Sequence, residues 1–206
     1  MNTLEHVHAG YVAGRRVQRL CRSLATLFPR DAQVVDVGCG DGAVAQQLAQ
    51  ARPDVRIRGF DVLVRDHPHI PVERFDGHTL PLGNASVDVV LFVDTLHHTT
   101  DPMELLREAS RVAREAVIIK DHTCDGLFAR HTLRLMDHVG NARHGVVLPY
   151  TYWPKATWFE AFEALGWHVA YWTPKLGLYP WPFNWVFERS LHFVAKLMIS
   201  RSSDHP

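Results

Sequence analysis

A group of glycines and carboxylates follows the first strongly apolar segment of the chain, in VVDVGCGDG (residues 34–42). Gly38 and Gly40 would let a ligand approach the backbone closely. A helix predicted to begin at residue 43 would direct the positive end of its dipole at the same place. Asp36 and Asp41 add two carboxylates to this turn. The segment therefore predicts a binding site for a small ligand where the first strand ends.

Two classes of ligand use a glycine turn of this kind. The dinucleotide pattern G-x-G-x-x-G/A is matched by Gly38, Gly40 and Ala43, so the glycines alone leave a nicotinamide cofactor open. A pyrophosphate would lie near Asp36 and Asp41, which we expect to be ionised at pH 7. Because like charges repel strongly in a partly dry cleft, the carboxylates favour a ligand that carries cationic groups.

Further polar residues follow later apolar segments, at the strand ends where a doubly wound sheet binds its ligands. Asp94, Thr95 and His98 follow VDVVLFV, and His122 follows VIIKD. An imidazole suits the removal of a proton from a hydroxyl acceptor, so His122 is the predicted general base. The alternatives to it are His97, Asp121, Tyr150 and Tyr152. His97, His98 and His122 show no HxH or HExxH pattern, so no metal site is predicted.

The order of the predicted elements indicates an α/β fold with a doubly wound sheet. Apolar periodicity, β-branched runs and Pro or Gly breaks define these elements. Helices are predicted over residues 4–28, 43–51, 101–113, 125–138 and 155–165. Strands are predicted over residues 33–37, 55–62, 73–77, 86–96, 115–122, 167–173 and 190–196. Asp101 and Pro102 provide the N-cap and first-turn signals of the third helix.

With its elements in this order, the chain resembles the class I S-adenosylmethionine (SAM)-dependent methyltransferases, in particular their type-11-like group. Four segments carry the resemblance: VVDVGCGDG, GFDV (59–62), FDGHTLPL (75–82) and VDVVLFVDTLHHTTDP (87–102). The resemblance implies a Rossmann-like, doubly wound, mostly parallel seven-stranded sheet with helices on both faces. It also implies SAM as the cofactor, which carries a sulfonium and an ammonium group and no phosphate.

The resemblance also implies a role for individual residues. In that family the first motif binds the cofactor, which here gives Asp36, Gly38, Cys39 and Gly40. Asp61, with Val62, matches the acid that holds the ribose hydroxyls, although a helix N-cap is the alternative for Asp61. Asp76, with Gly77, matches the acid that meets the adenine amino group. Asp94, Thr95 and His98 are expected beside the cofactor, and Arg15 is a candidate partner for its carboxylate.

We expect one domain over residues 1–206, because no repeat or linker interrupts the chain. Residues 1–29 would form a helical lid, 30–122 the cofactor-binding core, and 123–206 the substrate-side insertion and closing strands. The insertion resembles nothing general in the family, so we expect the acceptor to contact residues 122–153 and 178–187. Four aromatic residues are candidate walls of a flat pocket, namely Trp153, Trp158, Trp172 and Tyr179. They favour a small apolar or aromatic acceptor.

Composition excludes several other classes of function. Lys plus Arg and Asp plus Glu both number 22, so no basic excess indicates nucleic acid as a partner. No NPPY-type tetrad follows the fourth strand, which argues against methylation of nucleic-acid bases. No apolar run approaches about 18 residues, so no stable membrane insertion is expected. Three unpaired cysteines and the lack of a signal-like start favour a cytoplasmic location. A non-catalytic SAM-binding module remains an alternative.

Overall fold

A computed structural model describes the three segments 16–141, 149–178 and 191–200 and the single residues Gly14, Trp181 and Glu188. Arg15, the predicted carboxylate partner, and Tyr179, a predicted pocket wall, lie outside the described residues. Of the helix predicted over residues 4–28, the described part is helical at residues 16–25, and this helix is α1.

The other elements follow the predicted order. The strands are β1 (Gln33–Val37), β2 (Arg56–Asp61), β3 (Val72–Arg74), β4 (Val87–Val93), β5 (Ala113–His122), β6 (Trp167–Thr173) and β7 (His192–Ile199). The further helices are α2 (Ala43–Ala51), α3 (Pro102–Val112), α4 (Ala129–Asn141) and α5 (Lys155–Ala164), and a 3-10 helix spans Leu96–His98. Predicted bounds differ from these by a few residues, mostly where a strand or helix meets a turn.

The seven strands form one sheet in the order β3-β2-β1-β4-β5-β7-β6. Strands β1 to β5 pair in parallel, and β7 runs antiparallel to both β5 and β6. The strand order reverses between β1 and β4, so the carboxyl ends of these strands border the crevice where such sheets bind ligands. The predicted Rossmann-like, mostly parallel seven-stranded sheet is confirmed.

Two apolar layers cover the faces of the sheet. Side chains of α3 and α5 pack on one face, with Leu105, Leu106 and Trp158 among those excluded from solvent. Side chains of α1 and α2 pack on the other face, where Leu24 and Leu48 are fully buried. Strands β4 and β5 are nearly continuous apolar runs because both of their faces are covered. Within the described residues, no helix is long and apolar enough to cross a bilayer.

The three described tryptophans that were predicted to form a flat pocket pack in or against the core. Trp158 is 1% exposed, and its indole nitrogen donates to the carbonyl of His122 at 3.0 Å. Trp153 packs edge-on against Trp158, and Trp172 stacks on Phe193 with 4.3 Å between ring centroids. The pocket prediction was therefore wrong for Trp158, which fills the layer between α5 and the sheet, whereas for the partly buried Trp153 and Trp172 it stays a prediction.

Candidate functional site

The glycine loop after β1 has a backbone that most residues cannot adopt. Gly38 has a φ of +73° and Gly40 a φ of +61°, in the left-handed region. A Cβ on Gly38 would lie 2.2 Å from Cγ2 of Thr95, so the close approach of Thr95 also requires glycine there. A Cβ on Gly40 would meet nothing within 4 Å. Gly38 thus serves packing, whereas the face of Gly40 is open for a ligand.

Thr95, at the end of β4, supports the glycine loop after β1. Its hydroxyl donates to the carbonyl of Val37 at 3.1 Å, which ties the end of β4 to the end of β1. The Thr95 side chain makes this hydrogen bond and the contact with Gly38 in the absence of a ligand. The structure therefore gives Thr95 a supporting position, and its contact with the cofactor stays a prediction.

Asp61 holds the loop from the second strand. One carboxylate oxygen accepts from the backbone N–H of Gly40 at 2.7 Å, and the other accepts from Leu63 at 2.9 Å. No helix follows β2, since the chain enters a turn there. The alternative that Asp61 is a helix N-cap is therefore wrong. A carboxylate oxygen has further lone pairs, so Asp61 can accept from hydroxyl groups above the loop as well.

Asp36 is a buried acid with an unused oxygen. The residue is 2% exposed, and its Oδ1 atom has no hydrogen-bond partner among the described residues. Burial, reinforced by the charge of Asp61, raises the pKa of Asp36 to about 8. The expectation that Asp36 is ionised at pH 7 was thus wrong for the ligand-free protein, because desolvation disfavours the carboxylate. A cation beside Oδ1 would restore the ionised form.

Cys39 turns its thiol away from the loop. A Cβ on Gly59 would lie 2.3 Å from its sulfur, so the side chain packs against β2. Burial, together with the charge of Asp36, raises the pKa of the Cys39 thiol far above its ordinary value. Cys39 can therefore offer a ligand its backbone and does not provide a reactive thiolate.

The predicted adenine residues lie together beyond β2. A Cβ on Gly77 would be 3.1 Å from Cγ1 of Val62, so the two residues are neighbours. Val62 is 51% exposed and begins a run of three exposed apolar residues that continues with Leu63 and Val64. Asp76 accepts backbone bonds from His78 and Thr79 at 2.8 and 2.7 Å, and these bonds lower its pKa. Together they form an apolar surface with an acid at its border.

A buried ion pair joins the ends of β4 and β5. Asp94 has a φ of +54°, and its backbone N–H donates to the carbonyl of Lys120 at 2.9 Å. Its Oδ1 atom forms an ion pair with the Lys120 ammonium group, which is 1% exposed, while the Asp94 side chain is 40% exposed. Burial raises the pKa of Asp94, but the charge and hydrogen bond of Lys120 together with the charges of His97 and His192 outweigh this and leave the pKa below its ordinary value.

Asp121 organises the segment after β4 from within the core. Its Oδ2 accepts from the backbone of Leu96 at 3.0 Å, and its Oδ1 lies 2.6 Å from Nδ1 of His97. The same Oδ1 accepts from the backbone of His122 at 2.7 Å. This buried carboxylate therefore fixes the 3-10 helix and the imidazole of His97 in position.

His122, the predicted general base, is enclosed. Its Nδ1 faces the carbonyl of Leu191 at 3.2 Å. Nε2 lies 3.4 Å from Oδ1 of Asp94, and the side chain is 5% exposed. Burial, together with the charge of Lys120, lowers the pKa of His122 well below its ordinary value. The ring is thus neutral and weakly basic. Asp94 lies between the ring and the cleft.

His98 lies at the outer side of this group of rings. Its ring centroid is 3.9 Å from that of His97 and 6.3 Å from that of Tyr150. Burial, together with the charge of His97, lowers the pKa of His98 to about 4. Tyr150 stacks on Tyr152, so part of the segment expected to contact the acceptor does lie beside His97 and His98.

A cavity of about 230 Å³ opens beside the Asp94–Lys120 pair. Its walls are mostly apolar, and α1, the described part of the predicted lid, forms one side. The lining residues are Arg16, Val17, Leu20, Val44, Val93, Asp94, Lys120 and Leu178. Sequence reasoning did not select Lys120, although a lysine inside the apolar run AVIIKD was a signal that a buried cation stands there.

The arrangement suits a ligand that spans from Val62 to Asp94. The face of Gly40 is open, its N–H donates to Asp61, and Asp36 has an oxygen without a partner among the described residues. A ligand with an ammonium group at one end and vicinal hydroxyls in the middle would satisfy Asp36 and Asp61. A pyrophosphate would instead meet carboxylates on both sides of the loop.

Comparison with known proteins shows which family shares these features. Residues 35–119 match the family model described as "Methyltransferase domain". The chain is 30% identical over 131 residues to 27-O-demethylrifamycin SV methyltransferase of Amycolatopsis mediterranei (strain S699), covering 53% of this chain and 48% of that protein. It is 30% identical over 95 residues to malonyl-[acyl-carrier protein] O-methyltransferase of Hahella chejuensis (strain KCTC 2396), covering 42% and 33%. The chain therefore spans half or less of the length of these relatives.

A solved structure extends the similarity to nearly the whole chain. In the complex between the Haloferax volcanii Trm112 methyltransferase activator and the putative methyltransferase, one chain superposes with a TM-score of 0.65. The match covers 94% of this chain and 95% of that one at 18% identity, a level that establishes the fold.

Proposed function

We propose that this chain, which belongs to the class I SAM-dependent methyltransferases, transfers a methyl group from SAM to a small-molecule acceptor. The observation that carries the proposal is the glycine loop itself, in which the face of Gly40 is open, Asp61 accepts from the Gly40 N–H, and the nearby Asp36 has a buried oxygen without a hydrogen-bond partner among the described residues. This geometry favours a ligand with an ammonium group and ribose hydroxyls over one with a pyrophosphate.

Each part of the loop has a separate role in this proposal. Asp36 accepts from the ammonium group of the methionine moiety, and Asp61 accepts from the ribose hydroxyls. Val62, Asp76 and Gly77 contact the adenine, with Val62 against its face. Backbone groups of Cys39 and Gly40 line the middle of the site, and Arg15 stays a candidate for the methionine carboxylate. Bound SAM supplies a methyl group on a sulfonium, which is already a good leaving group.

The cavity beside Asp94 is the proposed acceptor site. Its volume of about 230 Å³ and its apolar walls suit a small, mostly apolar molecule or the end of a larger one. Arg16, Asp94 and Lys120 are its charged residues, so the polar group of the acceptor would turn towards them. The names of two relatives support a small or carrier-bound acceptor, since one methylates a rifamycin derivative and the other malonyl-acyl-carrier protein.

Proton removal is proposed at the Asp94–His122 pair. Asp94 is the partly exposed member and can accept a hydrogen bond from an acceptor hydroxyl. Nε2 of His122 lies 3.4 Å from the same carboxylate, and in the neutral tautomer with the proton on Nδ1 it can share the proton taken from the acceptor. The predicted role of His122 as general base is therefore kept in an indirect form, in which Asp94 contacts the acceptor. The alignment of acceptor and methyl group provides much of the remaining rate enhancement.

A ligand-binding and turnover experiment tests the proposal. SAM and S-adenosylhomocysteine should raise the melting temperature, with about 2.7 kcal/mol of stabilisation at 100 times the dissociation constant, and NAD should not. Conversion of SAM to S-adenosylhomocysteine is then screened across small apolar hydroxyl, amine and carboxylate compounds. Stabilisation by NAD alone would contradict the proposal. Tight SAM binding without turnover of any acceptor class would favour the non-catalytic module.

A further inference from the structure

Four residues with metal-ligating side chains converge where β4 and β5 end. They are Asp94 and His97 from the segment after β4, and Asp121 and His122 from the end of β5. One ligand atom from each side chain lies within 4.8 Å of all the others. His97 Nδ1 is 2.6 Å from Asp121 Oδ1, and His122 Nε2 is 3.4 Å from Asp94 Oδ1. The sequence pattern could not reveal this group because its two halves are separated by more than twenty residues.

We propose that Asp94, His97, Asp121 and His122 form a binding site for one divalent first-row transition-metal ion. Two imidazoles and two carboxylates are a donor set that suits Zn²⁺, Co²⁺ or Mn²⁺ better than Ca²⁺, which prefers oxygen ligands alone. Three of the four residues are buried. Backbone N–H groups of Leu96 and His122 hold Asp121, and Asp121 in turn holds His97. Asp94 is 40% exposed and provides the route by which an ion enters.

The two carboxylates of the cluster favour the binding of a cation. Asp94 and Asp121 are two carboxylates, and Lys120 is the cation that pairs with one of them. His98 and His192 pack on the outside of the group, with ring centroids 3.9 Å from His97 and 4.7 Å from His122, respectively. A metal ion would replace the Lys120 ammonium group as the partner of Asp94. Binding is therefore a competition between two cations for the same carboxylate.

The position of the site connects it to the proposed reaction. Asp94 lines the cavity proposed for the acceptor, so an ion held by Asp94 could also contact an oxygen of the acceptor. That contact depends on the proposed function, whereas the binding of the ion does not. The test is accordingly made without SAM and without an acceptor.

Zinc binding to the chelator-treated full chain is measured by calorimetric titration, and Co²⁺ is used as a spectroscopic probe of the ligand set. We expect one Zn²⁺ per chain. Asp121→Asn and His97→Gln should weaken binding by about 10- to 100-fold or more. Asp94→Asn changes a partly exposed residue and provides a ligand variant for which folding is less at risk. Circular dichroism and a thermal melt check that each variant is folded.

Two further variants separate this site from the other histidines of the chain. His78→Gln removes an exposed imidazole that pairs with Glu104, and it should leave the affinity for Zn²⁺ unchanged. Lys120→Met removes the competing cation and should bind Zn²⁺ about tenfold more tightly or better, with Lys120→Gln as the substitute if the Met variant does not fold. Binding that the ligand variants leave unchanged would overturn the proposal. So would the absence of stoichiometric binding in both the wild type and the Lys120 variant.

Discussion

The carboxylate of Asp61 accepts a hydrogen bond of 2.7 Å from the backbone of Gly40, a residue 21 positions earlier in the chain. This bond connects the two motifs that the sequence suggested separately. It means that Asp61 shapes the loop before any ligand arrives, in addition to its proposed contact with the ribose. Variants of either residue must therefore be interpreted against their effect on the ligand-free protein.

Asp61→Ala should weaken SAM binding by roughly 10- to 150-fold, the effect of losing a charge-assisted bond of about 1.5 to 3 kcal/mol. It should also lower the free energy of unfolding of the ligand-free protein, since Gly40 and Leu63 lose their acceptor. Asp101→Ala is the matched control, because it removes an N-cap bond to Met103 at the start of α3. That control should lose about 0.5 to 2 kcal/mol of stability and retain SAM affinity. Equal SAM affinity in both variants would contradict the ribose role.

Gly40→Ala should impair SAM binding more than it impairs folding. Gly166 provides a control with nearly the same backbone, because its φ is +67° and its missing Cβ also faces open space. Both alanine variants should lose about 1 kcal/mol of stability from the left-handed conformation. Only Gly40→Ala places a methyl group where the ligand is proposed to lie. Calorimetric titration of both variants with SAM checks this, and comparable affinities would refute the assignment.

Asp36 should make the stability of the ligand-free protein depend on pH. Its folded pKa of about 8 lies above the unfolded value, so between about pH 4 and pH 8 the native state holds a proton that the unfolded state lacks. Stability should therefore fall as pH rises through this window, by up to about 1 kcal/mol per pH unit, and level off above pH 8. Asp36→Asn should remove this contribution. Urea unfolding of both proteins from pH 5 to pH 9 gives the comparison, and parallel profiles would contradict it.

The same acid should couple SAM binding to proton release. A cationic ligand beside Oδ1 favours the ionised form of Asp36, so the affinity should rise with pH below about pH 8 and protons should be released. The ammonium group of the ligand itself loses its proton near pH 8, and comparison with Asp36→Asn isolates the contribution of Asp36. Titrations in buffers of different ionisation enthalpy measure the released protons. Equal release in the two proteins would show that Asp36 does not contact the cation.

Asp94→Asn should lower kcat by about 100- to 10,000-fold for a hydroxyl acceptor, if Asp94 and His122 share the proton as proposed. The amide keeps an oxygen for the Lys120 ammonium group, which limits the loss of stability. Asp88→Asn is the control, since Asp88 also lies on β4 and pairs with a cation, Arg114, away from the site. It should change kcat little. A kcat for Asp94→Asn close to that of Asp88→Asn would exclude the carboxylate from catalysis.

The sequence by itself determined the fold and the position of the glycine loop. Apolar runs at β1, β4 and β5, the Asp101–Pro102 helix start and the glycines of the first motif are local signals, and a doubly wound sheet follows from their order. The same local signals identified Gly40, whereas Asp61 was identified through the resemblance to the methyltransferase family. Local signals succeed because hydrophobic periodicity, capping and left-handed turns depend on residues close to one another in the chain.

Tertiary structure decided the roles that depend on what surrounds a side chain. Burial of Asp36 raises its pKa. Trp158 is enclosed in the core layer between α5 and the β6–β7 pair. The hydroxyl of Thr95 donates to the carbonyl of Val37. The group around Asp121 combines residues from two segments, and its buried lysine forms an ion pair across neighbouring strands. Desolvation and the convergence of distant segments have no local signature, because they arise when the sheet brings the ends of β4 and β5 together and excludes water from them.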